Sequence, residues 1–110
     1  MLIAITAQGA GLESPIDEKF GRAPYIVVYD LESNSIKETI DNSTNCNLSQ
    51  GAGIQTASKM AELKVNWVLT GHVGPKAEQV LNKAKIKIGA GISGNVKKVI
   101  DDFNRGIFQD

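Results

Sequence analysis

The order in which strand-like runs and helical stripes follow one another is the feature that most restricts the fold of this chain. Residues 2–6 and 25–29 are short runs rich in β-branched or aromatic side chains, bounded by Gly, Pro and polar clusters, which is typical of strands. Residues 36–40 alternate apolar and polar side chains after a turn-rich segment, so the second and third strands are expected to form an antiparallel hairpin. Residues 41–50, dense in Asn and Ser, are expected to form a loop.

The second half of the chain alternates helices and strands. The predicted elements are a helix over residues 53–64, a strand over 66–70 with Trp67 in the core, a helix beginning at Pro75, a strand over 86–88, and a last helix capped by Ser93 or Asn95 and stopped by Gly106. The resulting order, β-β-β-α-β-α-β-α, predicts a single α/β domain over residues 1–110. A mixed five-stranded sheet flanked by helices, in two or three layers with right-handed parallel crossovers, is the expected architecture.

The glycines are concentrated at one end of this predicted sheet. If the first strand points up, the segments after the first, third, fourth and fifth strands all lie at the upper pole, where open α/β sheets usually bind ligands. These segments hold ten of the eleven glycines: Gly9, Gly11, Gly21, Gly51, Gly53, Gly71, Gly74, Gly89, Gly91 and Gly94. Bare backbone N–H groups and the amino ends of three helices there would favour an anion. Tight connections also need glycine, so a purely structural explanation stays open for any single loop.

Four polar side chains are candidates for the same pole. Lys19 and Arg22 offer positive charge, and His72 and Cys46 offer one borderline and one soft metal ligand. Two such ligands are too few for a closed zinc site, but they suffice to anchor a cluster that brings its own sulfides. The alternatives are a hydrogen-bonding histidine at a helix entry, an incidental thiol, and a loop-pinning ion pair of Arg22 with Glu18 or Asp30.

Several classes of function lack support in the sequence. Twelve basic residues balance twelve acidic ones, so nothing indicates a nucleic-acid or anionic-membrane partner. Neither a dinucleotide fingerprint nor a phosphate-binding P-loop is present, and the Ser and carboxylate residues show no catalytic arrangement, so we do not expect an enzyme. A single cysteine, no secretory signal and no long apolar run lead us to expect a soluble cytoplasmic protein.

Three stretches together resemble a known family. They are IAITAQGAGLESPIDEKFGRAPYIVVYD, GAGIQTASKMAELKVNWVLTGHVGPKAEQVL and VKKVIDDFNRG, and they span nearly the whole chain. They are similar to the dinitrogenase iron-molybdenum cofactor biosynthesis family, which includes NifX, NafY, the C-terminal region of some NifB proteins and the orange protein, a carrier of a molybdenum-copper sulfide cluster. The F-G-R-A-P-Y element, followed by G-x-x-G-P-x-A, is the most specific part of the match.

The resemblance implies a ribonuclease H-like α/β fold without nuclease carboxylates. It also implies a carrier or chaperone for an anionic metal-sulfur cluster of the Fe-Mo-S or Mo-Cu-S type, exchanging it with donor and acceptor proteins and with an iron-sulfur nucleotide-binding ATPase. Relatives commonly carry a histidine before the Phe-Gly-Arg triplet, whereas this chain has Lys19. An ammonium group is a point charge, so at this position it would hold a thiometallate electrostatically.

Two hypotheses of different classes follow from the sequence. In the first, the upper pole binds the metal-sulfur anion through Lys19, Arg22 and the backbone of Gly51, Gly53, Gly71 and Gly74, with His72 and Cys46 as metal ligands. In the second, the chain is a regulatory or scaffold protein whose pole binds a protein partner, a small anion or a nucleotide without metal. Arg22 is expected to face the cavity and Phe20 to pack beneath the loop.

Overall fold

Five strands and three helices form within the part of the chain that the computed structural model describes, residues 1–42 and 51–106. They are β1 Leu2–Ala7, β2 Tyr25–Asp30, β3 Ser35–Asp41, α1 Ala52–Leu63, β4 Trp67–Leu69, α2 Pro75–Lys83, β5 Lys87–Gly89 and α3 Val96–Asn104. The predicted element order is confirmed. The predicted loop over residues 41–50 lies mostly outside the described residues.

The strands form one mixed sheet in the order β3-β2-β1-β4-β5. β2 pairs antiparallel with both β1 and β3, which confirms the hairpin, whereas β1, β4 and β5 are parallel. β1, β3, β4 and β5 therefore all end at the same pole. Asp30 pairs with Leu2 at the opposite pole, as expected for the end of β2.

Helices cover both faces of the sheet, so the domain has three layers. α3 packs on one face, where Trp67 is 6% exposed and meets Phe103 edge to face with ring centroids 5.4 Å apart. α1 and α2 pack side by side on the other face, over a core that includes Met60 and Leu81. The prediction that Trp67 belongs to the core is confirmed.

The helix ends follow from local backbone chemistry. Lys64 follows α1 in the left-handed conformation, with φ of 57°, so the helix ends one residue before the predicted boundary. Asn95 caps α3 by accepting the Lys98 N–H at 2.8 Å, which is one of the two caps predicted. Gly106, with φ of 80°, follows α3 as expected for a stop residue. Across residues 1–42 and 51–106, no helix has the length and apolar character to cross a bilayer.

Candidate functional site

Two loops of the glycine pole are joined through their backbones. The Phe20 N–H donates to the His72 carbonyl at 3.2 Å, and the His72 N–H donates to the Glu18 carbonyl at 2.7 Å. These bonds pair Lys19 with His72 in a short parallel bridge. Because paired residues project their side chains to the same face, the Lys19 and His72 side chains are neighbours where they leave the backbone. Both residues are exposed.

Gly21 and Gly71 lie where the Phe-Gly-Arg loop contacts the start of α1 and the segment after β4, and both contacts are too close for a side chain. A Cβ atom on Gly71 would lie 2.6 Å from the Glu18 carbonyl oxygen, and one on Gly21 would lie 2.5 Å from the Gly53 backbone nitrogen. The Phe-Gly-Arg loop is thus pressed against the start of α1 on one side and against the segment after β4 on the other. Phe20 is 2% exposed and packs in the core beneath α1 and α2, as predicted.

Two adjoining grooves open between these loops. One, of about 350 Å³, is lined by Lys19, Phe20, Gly21, Arg22, Gly53, His72 and Gly74. The other, of about 380 Å³, is lined by Phe20, Gly21, Gly51, Gly53, Ile54, Gly74, Pro75, Lys76 and Ala77. Because they share Phe20, Gly21, Gly53 and Gly74, we treat them as one site and call it the pole cleft. Both grooves have mostly apolar walls; Lys19 and Arg22 add positive charge to the first, and Ile54, Pro75 and Ala77 form the apolar part of the second.

The amino ends of α1 and α2 both border the pole cleft without a side-chain cap. The N-cap residues are Gly51 and Gly74, and among the described residues no side chain accepts a hydrogen bond from the first turn of either helix. Uncapped N–H groups at a helix start carry partial positive charge and favour anions. The sequence had suggested three such ends, but α3 differs.

The start of α3 has its N–H groups occupied. Asn95 caps it, and the N–H groups of Val96 and Lys97 donate to the carbonyls of Ser14 and Leu12 at 3.0 and 2.9 Å. Of the three described helices, only α1 and α2 therefore begin with first-turn N–H groups that no described side chain caps.

The predicted glycine contacts divide by role. Gly74 has an ordinary φ of −69°, and no heavy atom lies within 4 Å of a Cβ built on it, so neither conformation nor packing requires glycine there. Gly51 has φ of 77°, which favours glycine, and it also has open space at the Cβ position. Gly53 packs closely on Ala77: a Cβ atom added to Gly53 would lie 3.3 Å from the Ala77 Cβ atom. Gly71 is not among the residues lining the pole cleft. Its close contact with Glu18 explains why a glycine is needed there.

The donor set of the pole cleft suits an anion better than a bare cation. Lys19, Arg22 and His72 all line it. Within residues 1–42 and 51–106, no three His, Cys, Asp or Glu side chains gather as a metal site would require. Cys46 lies outside the described residues.

The proposed ion pair between Arg22 and Asp30 is wrong. Arg22 precedes β2 and Asp30 ends it, and a strand of this length separates the two by roughly 20 Å. The alternative pair of Arg22 with Glu18 stays open.

A larger groove of about 600 Å³ lies at the opposite pole, beside the start of β5. Its wall includes Glu78, Lys85 and Lys87, with the Lys87 ammonium 5.6 Å from the centre of the Trp67 ring. Among residues 1–42 and 51–106, no helix begins at this pole, so the described part of the groove lacks the backbone donors of the pole cleft. We regard the pole cleft as the better candidate, although each of its two grooves is smaller than this one.

Sequence reasoning missed the apolar part of the pole cleft, formed by Ile54, Pro75 and Ala77. Two signals were present. Gly51 and Gly74 stand at positions where a helix usually has Ser, Thr, Asp or Asn, and Pro75 marks the first turn. Glycine at both N-cap positions, with no side-chain cap among the described residues, leaves first-turn N–H groups available at two neighbouring helices.

Fold and site together define a class: a small three-layer α/β protein with an anion-favouring cleft between two helix amino ends. The chain belongs to the family described as "Dinitrogenase iron-molybdenum cofactor", whose sequence model matches residues 1–106. The resemblance seen in the sequence is thereby confirmed.

Individual relatives agree with this assignment. The apo form of the orange protein from Desulfovibrio gigas is similar with a TM-score of 0.90 at 40% identity, over 96% of this chain and 88% of that one. A Thermotoga protein with a provisional NifB name, of the DUF35 family, has a TM-score of 0.82 at 28% identity, over 96% and 88%. The uncharacterized protein MJ0580 of Methanocaldococcus jannaschii is 29% identical over 99 residues, 84% of this chain and 83% of its own length. Family and relatives support a small accessory protein in cofactor biosynthesis or carriage.

Proposed function

We propose that this chain is a non-catalytic carrier that binds an anionic metal-sulfur cluster, or a precursor of one, in the pole cleft. One observation carries the proposal: Lys19, Arg22 and His72 line the same cleft as two helix amino ends that have no side-chain cap among the described residues. Backbone dipoles and cationic side chains both stabilise negative charge, and at this cleft they would act together on one ligand.

Each group has a distinct part in this proposal. The backbone N–H groups of the first turns of α1 and α2 would donate to sulfide or other anionic atoms of the cargo. Lys19 and Arg22 would balance its charge, and His72 would ligate one metal or donate a hydrogen bond. Cys46, which lies outside the described residues, is retained as a second ligand candidate. The cargo brings its own sulfides, so a complete set of protein ligands is not required.

The apolar part of the pole cleft favours a thioanion over an oxyanion. Phe20, Ile54 and Pro75 form that part of the wall. Phosphate or molybdate would lose strong hydration on contact with such a wall, at a substantial cost in free energy. Sulfur is larger and more polarisable than oxygen and holds water less strongly, so Fe-Mo-S or Mo-Cu-S species are the cargo we propose.

The proposal extends to partners and location. A carrier needs a donor and an acceptor of its cargo, and an iron-sulfur nucleotide-binding ATPase is our candidate among them. We place this exchange in the cytoplasm and assign no role to nucleic acid or membrane. The balanced charge of the chain, with twelve basic and twelve acidic residues, supports the absence of a nucleic-acid partner.

Anaerobic reconstitution tests the proposed function. The protein is incubated with tetrathiomolybdate, with and without Cu(I), and passed through a gel-filtration column, after which molybdenum and copper are measured in the protein fractions. We expect close to stoichiometric molybdenum to co-elute, and molybdate in place of tetrathiomolybdate to co-elute far less. Molybdenum confined to the small-molecule fractions under both conditions would contradict a carrier function.

A further inference from the structure

A buried polar contact behind the pole cleft bears on how the cleft keeps its shape. Asn42 and Thr56 are 3% and 0% exposed, and neither is among the residues lining the cleft. The Asn42 side-chain amide donates to the Ala23 carbonyl at 2.9 Å and to Thr56 Oγ1 at 3.3 Å. The Thr56 hydroxyl in turn donates to the Ala52 carbonyl at 2.9 Å.

This contact joins two parts of the cleft wall. Ala23 directly follows Arg22, and Ala52 is the first residue of α1, between Gly51 and Gly53. A buried amide that keeps its hydrogen bonds has few alternative positions, because each lost bond leaves a polar group without water. The Asn42–Thr56 pair therefore fixes the loop that bears Arg22 relative to the helix start that offers its N–H groups.

We propose that Thr56, together with Asn42, is a positioning residue of the pole cleft. It sets the separation between the Arg22 loop and the amino end of α1, and through that separation it sets the affinity for anionic cargo. The inference rests on the proposed function. An anion gains the full benefit only when the cation and the N–H groups reach it together, so a shift of about 1 Å in one wall weakens binding markedly.

Isosteric variants separate positioning from general stability. Thr56→Val removes the hydroxyl group and keeps the volume, and it should lower the affinity for tetrathiomolybdate on the order of tenfold. Thr56→Ser restores the hydroxyl and should return the affinity to near the wild-type value. Ile100→Val is the control: it trims a core residue of α3 on the other face of the sheet and should lower the melting temperature by roughly 5 °C without changing the affinity.

A double-mutant cycle tests whether Thr56 acts through the Arg22 loop. If it does, Thr56→Val should weaken binding much less when Arg22→Ala is already present, because the contact that depends on the position of the loop is then gone. Should Thr56→Val fold poorly, Thr56→Ala removes the same hydroxyl group with a better helix former and is expected to lose affinity in the same range.

The outcomes distinguish this inference from the proposed function. If the wild-type chain binds tetrathiomolybdate and folded Thr56→Val binds it equally well, positioning by Thr56 is wrong and the carrier function stands. Equal losses in Thr56→Val and Ile100→Val would also overturn it, because stability alone would then explain both. If the wild-type chain does not bind tetrathiomolybdate, the proposed function fails and this inference fails with it.

Discussion

At the scale of single residues, the pairing of Lys19 with His72 best characterises the pole cleft. The two side chains are neighbours because the backbones of their loops form a parallel bridge, not because they attract each other. The His72 imidazole can ligate a metal, whereas the Lys19 ammonium cannot. The present pair is therefore consistent with the proposed cargo, an anion whose metals already have their sulfide ligands.

Replacing the Lys19 ammonium by a second imidazole should raise the affinity of the Lys19–His72 position for a metal ion. Lys19→His places two imidazoles side by side, and we expect it to bind Zn²⁺ or Cu(I) at least tenfold more tightly than the wild type does, since each added ligand contributes to affinity. Competition with a chromophoric chelator measures this. Adding His72→Ala to Lys19→His should abolish the gain; if the gain persists, the new imidazole acts without His72 and the pairing is irrelevant.

Arg22 and Phe20 lie two positions apart in the same loop, but we expect substitution of Arg22 to impair binding and substitution of Phe20 to impair stability. Arg22 is exposed, so Arg22→Ala should change the free energy of unfolding by less than about 1 kcal/mol. It should nevertheless weaken thioanion binding about tenfold, because it removes a charged hydrogen-bond donor from the cleft. Phe20→Ala should cost about 3 kcal/mol or more of stability through the cavity it leaves.

Thermal unfolding and anion titration of both variants provide the measurement. If Arg22→Ala unfolds the domain while the folded fraction binds normally, Arg22 holds the loop and does not contact the cargo. A Phe20→Ala variant with unchanged stability would contradict the packing of that ring.

At the scale of secondary-structure elements, the three helices differ in how they begin. α3 has a capping asparagine and two further acceptors for its first N–H groups, whereas α1 and α2 begin at glycines. A capped start is the more stable arrangement for an isolated helix, by about 1 kcal/mol for a good cap. The two ends that no described side chain caps thus give up stability at the place where we propose that the cargo binds.

Capping α2 should therefore improve stability and impair function. Gly74→Asp places a carboxylate at the N-cap, and we expect a stability gain of a few tenths of a kcal/mol with roughly tenfold or greater loss of thioanion affinity, since the new charge occupies the cleft. Gly74→Ser caps without charge and should lose less affinity. Thermal unfolding and anion titration measure the two effects.

Gly11→Asp is the matched control for Gly74→Asp. It adds the same charge at a glycine that also has open space around its Cβ position but does not line the cleft. Its affinity should stay near the wild-type value, apart from a small effect that salt removes. Equal losses in the two variants would mean that net charge, not the position of the charge, governs binding.

At the scale of the whole molecule, the sequence predicted the element order and the common pole of four strands, because hydrophobic period and crossover handedness decide both. Local chemistry predicted Ser93 or Asn95 as the cap of α3, and Asn95 is the residue that caps it. The sequence did not predict the Lys19–His72 bridge, the contact of Gly21 with Gly53 or the Asn42–Thr56 pair. These contacts join distant segments, and their geometry depends on how loops pack, which no local pattern encodes.

The same limit applies to the choice among glycines. Gly71 and Gly74 look equivalent in the sequence, yet one is needed where two loops touch and the other faces open space. Only the packed structure separates a glycine that the fold requires from one whose bare backbone is available to a ligand.

Binding of an anionic metal-sulfur species between the amino ends of α1 and α2 can be followed residue by residue. Amide NMR during anaerobic titration with tetrathiomolybdate suits this, because that anion is diamagnetic and the first-turn N–H groups report on it. We expect saturable shifts centred on Gly53, Ile54, Lys76 and Ala77, with the start of α3 and the groove around Lys85 unaffected. Shifts confined to that opposite groove, or none at saturating tetrathiomolybdate, would mean that the pole cleft does not bind such an anion.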